Sequence, residues 1–189
     1  MFVRKWIFAG ASCSLEFYPN QPFHRLLWKR NMRADYFQLV SDEIKQLSAI
    51  ETTMLSYTIS QHLLELVKLR VSQINGCAFC VSLHTQQLRL FEETNQRIDL
   101  VGVWEEAPCY SERERTAFRW AEALTRLSDG AGVSDDLYES TVREFGDAGV
   151  SQLSIAVAMI NTWNRLAVPF QTDHRYIESL LKRPATTAQ

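Results

Sequence analysis

The sequence predicts an all-α domain, and three observations carry that expectation. Glycine and proline are scarce, seven and five in 189 residues, fewer turn formers than a β-sandwich or barrel consumes. Apolar residues recur at three- and four-residue steps behind recognisable helix starts. No segment alternates apolar and polar residues as a half-buried strand does, and no internal repeat is visible.

In chain order, residues 1–31 read as an N-terminal extension of unknown role. They hold five basic residues against one acidic residue, Glu16, seven of the twenty-one aromatics, and no helical period. Arg4-Lys5 followed by Trp6-Ile7-Phe8-Ala9-Gly10-Ala11 imitates a secretory leader. Its apolar run is short, however, and Glu16 and two prolines follow closely. Cys13 lacks the large aliphatic residue that precedes a lipidation cysteine. The domain itself is expected over residues 32–182, with 183–189 a flexible tail.

Ser41-Asp42-Glu43 looks like a helix start leading into Ile44, Leu47, Ile50 and Met54. A second helix runs from about Ser60 to Ile74 with Ile59, Leu63, Leu66, Val67, Arg70 and Ile74 on one stripe. Asn75-Gly76 stops it, because both residues tolerate left-handed dihedrals. A third helix is expected from Cys77 to about Glu93. Ser111-Glu112-Arg113-Glu114 is a capping box. The helix behind it faces inward with Ala117, Phe118, Ala121, Leu124 and Leu127. Gly130 and Gly132 close that helix, and Ser134-Asp135-Asp136 opens the next, which ends at Phe145-Gly146. The last, about Val150 to Ala167, is apolar nearly all round and is therefore expected to be buried.

The charge balance, twenty basic against twenty-two acidic residues, gives no basic excess to invite nucleic acid. The most apolar stretch outside the N-terminus, Leu153 to Phe170, carries Asn161, Asn164 and Arg165, so no membrane span is expected. Four cysteines are too few for a disulfide-stapled secreted fold. A cytoplasmic protein is the expectation.

Chemistry concentrates in Cys77-Ala78-Phe79-Cys80-Val81-Ser82-Leu83-His84. At roughly 100° of rotation per residue, Cys77, Cys80, Val81, His84, Leu88 and Phe91 share the core-facing stripe, with Ser82, Gln86, Arg89 and Glu93 opposite. Thiols three residues apart at a helix start can approach disulfide distance. The free N–H groups of the first turn and the helix dipole favour a thiolate there. His84, one turn beyond Cys80, is placed to exchange a proton with it. Two other readings compete. One is a core helix with two buried thiols and a satisfied histidine. The other is a zinc site, which would need further ligands from Cys109, Cys13 or another histidine at no recognised spacing. A thioredoxin-like fold would need a βαβ pattern that is absent. His62 and His174 read as lone surface residues, and Cys109 as a loop cysteine without a visible partner. Asn161, Asn164 and Arg165 read as an inter-helix or inter-subunit polar contact.

The run Ser72-Gln73-Ile74-Asn75-Gly76-Cys77-Ala78-Phe79-Cys80-Val81-Ser82-Leu83-His84 resembles the signature of the carboxymuconolactone decarboxylase-like superfamily, in its alkylhydroperoxidase D (AhpD) branch. The branch pattern places a glutamate twelve residues before a Cys-x-x-Cys and a histidine four after it. Glu65, Cys77, Cys80 and His84 match each element. Similarity extends to Ser111-Glu112-Arg113-Glu114-Arg115, to Trp120-Ala121-Glu122-Ala123-Leu124 and to Asn161-Thr162-Trp163-Asn164-Arg165, covering about residues 32–170. Alkylhydroperoxidase D carries a histidine between its cysteines, where this chain has Ala78-Phe79, and is built from a duplicated unit. This chain looks like the single-unit members.

The resemblance implies an all-α, AhpD-like helical bundle that assembles as a dimer, trimer or hexamer. It also implies a thiol peroxidase activity that uses no metal or haem cofactor. A hydroperoxide would be the substrate and an external dithiol the reductant, as part of antioxidant defence. One cysteine would become a sulfenic acid and condense with the other, an exchange with the dithiol would regenerate the pair, and Glu65 and His84 would relay protons. On a helical wheel Glu65 falls with His62, Lys68 and Ser72 on a polar side, where a solvated glutamate is the bland alternative. Two further readings stand beside the peroxidase: a decarboxylase or lactone-processing member of the same superfamily, and a non-catalytic redox-sensing helical oligomer.

Overall fold

A computed structural model describes residues 32–130 and 132–181. The N-terminal extension, its leader-like start and Cys13, together with the expected tail, lie outside the described residues. Eight α-helices run through the described residues, in chain order α1 (Tyr36–Leu39), α2 (Ser41–Thr53), α3 (Gln61–Ile74), α4 (Ala78–Leu90), α5 (Asn95–Leu100), α6 (Glu112–Thr125), α7 (Asp135–Phe170) and α8 (Ile177–Leu180). Among the described residues there is no strand.

The architecture is organised around α3, which packs against α4, α6 and α7. Ser60 opens it: its side chain accepts a hydrogen bond from the Leu63 N–H, satisfying one of the free donors of the first turn. Leu64, Leu66, Val67, Leu69 and Val71 are fully buried. Each such aliphatic side chain removed from water contributes on the order of 1.5–3 kcal/mol. Arg70, expected on the buried stripe, instead donates from Nε to Glu122 Oε1 on α6 at 2.6 Å, and Trp104 Nε1 donates to the same oxygen at 2.8 Å.

The capping box of α6 forms as read: the Ser111 side chain accepts from the Glu114 N–H and the Glu114 carboxylate accepts from the Ser111 N–H. Ala117, Phe118 and Ala121 have no exposed surface. Leu127 departs from expectation: it lies past the end of α6 and is half exposed. Gly146 breaks α7 at φ 67°, a backbone conformation that only glycine adopts cheaply. The break falls where the sequence ends one helix and begins another. The second arm of α7 is less buried than its composition suggests. Leu153, Ala156, Val157 and Ile160 face the core, but Ile155 and Val168 are nearly half exposed.

α2 also departs from the sequence reading. Its N-cap is Val40, with no side-chain cap, and none of its residues is fully buried. Asp42 and Glu43 in the first turn complement the helix dipole. The chain's N-terminal approach is tied to the end of α7. The Arg33 N–H donates to the Phe170 carbonyl at 2.9 Å, and the Tyr36 hydroxyl lies 3.0 Å from Thr172 Oγ1. No helix of the described residues is long and apolar enough to cross a membrane.

Candidate active site

The site begins at the junction of α3 and α4. Gly76, at φ 65°, lets the chain reverse, and two hydrogen bonds close the end of α3: Gly76 N–H to the Gln73 carbonyl at 3.2 Å and Cys77 N–H to the Ser72 carbonyl at 3.0 Å. This is the double closure of a Schellman motif. The next helix starts at once. Cys77 is its N-cap, and its sulfur accepts from the Cys80 N–H at 3.3 Å. Both cysteines are reduced and buried.

Three kinds of donor converge on the Cys77 sulfur. The Cys80 thiol comes first, then the backbone N–H groups of Cys80 and Phe79, with the Asn164 side chain among them. Together they lower the Cys77 pKa against the opposing effect of burial. Cys80 moves the other way, because its thiol donates to Cys77 and because it is buried. Cys77 is thus the more acidic of the pair. Asn164, on α7, touches both sulfurs and is itself fixed. It accepts from Asn75 Nδ2 at 2.8 Å and donates to Ser72 Oγ at 3.3 Å.

One turn along α4, His84 Nδ1 lies 2.7 Å from Glu65 Oε2 on α3. The other Glu65 oxygen accepts from Lys68 Nζ at 3.2 Å, and Lys68 also donates to Glu51 on α2 at 3.0 Å. Trp163 Nε1 completes the chain by donating to Glu51 Oε1 at 3.1 Å. Glu65 and Lys68 are 5% and 3% exposed, so the reading of Glu65 as a solvated surface residue is corrected. The polar side of α3 is interior because α4 and α2 cover it. Burial alone would raise the Glu65 pKa. The Lys68 ammonium and then His84 override it and hold the carboxyl well below the usual range. Burial likewise opposes the charge on Lys68, but Glu65 and Glu51 together push its pKa up.

A cavity of about 300 Å³ opens onto this relay. Cys80, His84, Glu65 and Lys68 form its polar end, and Tyr36, Phe37, Phe79, Leu83 and Trp163 supply apolar wall. The Tyr36 hydroxyl is pushed up to about 12, chiefly by burial, so it stays protonated as a donor. An apolar wall around a few convergent polar groups is the usual form of a small-molecule site.

The structure places Cys80, Glu65 and His84 on one cavity, with Cys77 next to Cys80 as the cap of α4. Among the described residues no group of three or more His, Cys, Asp or Glu is arranged to hold a metal. Three other residues singled out from the sequence stand outside the Glu65–His84 pair. Cys109 is half-buried and its carbonyl accepts from Arg97. His62 pairs with Glu93 at 3.0 Å, and the His174 ring stands edge-on to Phe79. Asn161 and Asn164 make the expected inter-helix contact, both accepting from Asn75 Nδ2, while Arg165 is exposed on its own helix. Sequence reasoning missed Lys68 and Glu51 as part of the relay and Asn164 as a partner of the thiols. The signal for Asn164 was an amide on an apolar helix; Lys68 and Glu51 gave none, since neither belongs to a motif.

The carboxymuconolactone decarboxylase family model matches residues 45–123. The chain is similar to YdfG of Bacillus subtilis (strain 168), an uncharacterized protein, at 33% identity over 138 residues, which are 73% of this chain and 93% of that one. It is also similar to the crystal structure of a protein of unknown function from Agrobacterium tumefaciens, named as a candidate antioxidant defence protein AhpD. That likeness has a TM-score of 0.72 at 36% identity and covers 76% of this chain and 98% of the other. An uncharacterized peroxidase-related protein from Ralstonia eutropha JMP134, described as an alkylhydroperoxidase AhpD core, shares the fold. Its TM-score is 0.64 at 19% identity, over 77% of this chain and 80% of that one.

Proposed function

The chain belongs to the carboxymuconolactone decarboxylase family, in its AhpD branch, and from that premise we propose that it is a thiol-dependent peroxidase. It reduces hydroperoxides through Cys77 and Cys80 with Glu65 and His84 as proton relay. The observation that carries this reading is the joining of two devices in one buried place. A thiol pair is polarised by a helix N-terminus, and a carboxylate-held imidazole opens onto the same cavity as Cys80. The names borne by the Agrobacterium and Ralstonia proteins point the same way.

The steps balance on these residues. The Cys80 proton passes to His84, leaving a Cys80 thiolate at the cavity. That thiolate attacks the terminal peroxide oxygen; an S–O bond forms, the O–O bond breaks, and His84 gives a proton to the departing alkoxide. The products are an alcohol and Cys80 sulfenic acid. Cys77 then attacks the Cys80 sulfur, the thiol proton and the expelled hydroxide leave together as water, and a disulfide remains. Glu65 orients the ring through Nδ1 and leaves Nε2 for the transfers. An external dithiol returns two electrons to the pair. The chain works as a homo-oligomer in this reading, with Leu39 and Leu55, 73% and 52% exposed, as apolar surface for a second copy.

The test is direct. The reduced protein is mixed with an organic hydroperoxide and followed by peptide mass mapping, then by turnover with a dithiol present. A Cys77–Cys80 disulfide and sustained turnover that either Cys→Ser variant abolishes are expected. Absence of peroxide-driven disulfide overturns the reading.

A further inference from the structure

Cys77 and Cys80 border different cavities. Cys80 lines the one that holds His84, Glu65 and Lys68, whereas Cys77 lines a second, of about 350 Å³, with Gly76, Ala78, Val168, Thr172 and His174. No member of the Glu65–His84 relay reaches the second cavity. Phe79 lines both and forms the partition, its ring edge-on to the His174 ring at 5.8 Å between centroids.

We propose that the second cavity is the entry site for the reducing thiol, so that a small dithiol attacks Cys77 from one side of the partition while peroxide reaches Cys80 from the other. The inference rests on the peroxidase reading and adds to it the place and class of the second substrate.

Thiol–disulfide exchange proceeds in line: the incoming sulfur, the attacked sulfur and the leaving sulfur are collinear. Attack on Cys77 therefore comes from the side away from Cys80, and the second cavity is the one that borders Cys77 and not Cys80. Its wall includes Gly76, Ala78 and the first turn of α4, so an incoming thiolate approaches the positive end of a helix. The other cavity carries the Glu51 and Glu65 carboxylates already paired with Lys68 and His84, and it offers the anion no helix N-terminus next to Cys77. Asp173, the one acidic residue on the second cavity, is held by the Arg175 N–H at 2.9 Å and the Arg175 guanidinium at 2.7 Å.

The chemistry closes on both sides of the partition. The reductant's first thiolate forms an S–S bond with Cys77, the Cys77–Cys80 bond breaks, and Cys80 leaves as a thiolate that takes a proton from His84. The reductant's second thiolate then attacks its own bonded sulfur, closing a cyclic disulfide and expelling Cys77. That departure is favourable, since the Cys80 N–H stands ready to receive the Cys77 thiolate. The dithiol loses two electrons and the cysteine pair gains them.

The experiment separates the two half-reactions. The disulfide is preformed with diamide and its reduction by dithiothreitol followed by stopped flow; oxidation of the reduced protein by cumene hydroperoxide is measured in parallel. Val168, 47% exposed at the second cavity, is replaced in Val168→Trp and Val168→Arg. Leu180, 40% exposed at the first, is replaced in Leu180→Trp. Both Val168 variants are expected to slow reduction about tenfold or more, a block on access to the attacked sulfur, with oxidation little changed. Leu180→Trp is expected to do the reverse. Acid-quenched 2-mercaptoethanol adducts should map to Cys77. Reduction that is insensitive to Val168, slowed by Leu180→Trp, or trapped as an adduct on Cys80 overturns the proposal. Because diamide supplies the disulfide, this outcome is independent of whether peroxide forms it.

Discussion

His84 and Glu65 lie nineteen positions apart in sequence and 2.7 Å apart in space, on neighbouring helices. Their pairing ties the registers of α3 and α4 together at the depth of the thiols. If they serve as a relay, Glu65→Gln and His84→Phe keep the fold and a diamide-formed Cys77–Cys80 disulfide but slow peroxide turnover by about 10²–10⁴-fold, the usual worth of a positioned acid–base group. Steady-state rates across pH check this. Full activity in Glu65→Gln would reduce the relay to His84 alone.

Lys68 should matter first to stability. It is the cation between Glu51 and Glu65, and Lys68→Met leaves two carboxylates facing each other with little solvent. A loss of about 3–5 kcal/mol is expected, as for other broken buried pairs, read from urea unfolding. The double variant Glu65→Gln/Lys68→Met should recover part of it, since one uncompensated charge is then gone.

The same charges set a pH window for folding. The Glu65 carboxyl titrates well below its ordinary value of 4.5 in the folded protein, so the folded state binds fewer protons than the unfolded chain. Its contribution is present above about pH 4.5 and is lost as pH falls through the folded pKa. Lys68 has the opposite sign. Its pKa is raised above 10.5, so its contribution is present below that value and fades as pH climbs past it. Unfolding midpoints should decline on both flanks, and Glu65→Gln should flatten the acid side.

Asn164→Asp places a carboxylate against both sulfurs with almost no change of shape. Thiolate absorbance near 240 nm should then appear at higher pH than in the parent, and disulfide formation at neutral pH should slow. An unchanged thiolate titration would show that the backbone donors of α4 set the acidity of Cys77 without the amide.

Light scattering at micromolar concentration should report a mass above that of one chain. Leu39→Lys and Leu55→Lys should lower it if the apolar edge formed by α1 and the turn after α2 is the contact.

Much of this was legible in the chain. The Asn75-Gly76 stop, the Ser111–Glu114 capping box and the Gly146 break are local signals, each fixed by the conformational needs of one or two residues. The spacing of Cys77, Cys80 and His84 put them on one helix face; Cys80 and His84 do line one cavity, whereas Cys77 precedes the helix as its cap and borders the other. What the sequence did not carry is burial that depends on a third element. Glu65 and Lys68 lie on a side of α3 that is polar by composition, and only the arrival of α2 and α4 makes it interior. Likewise, the second arm of α7 looks apolar all round, yet Ile155 is left outside because the core is smaller than the helix's apolar circumference.

The cap of α4 is a sulfur that also reacts. An ordinary N-cap oxygen is a fixed part of the scaffold, whereas the Cys77 sulfur is a strong acceptor as a thiolate and a weak one once bonded to another sulfur. The first turn of α4 is therefore held most firmly in the reduced protein and loosened with each oxidation. Amide exchange at Phe79 and Cys80 would follow the redox state of the pair, making the helix start a built-in reporter of how much disulfide is present.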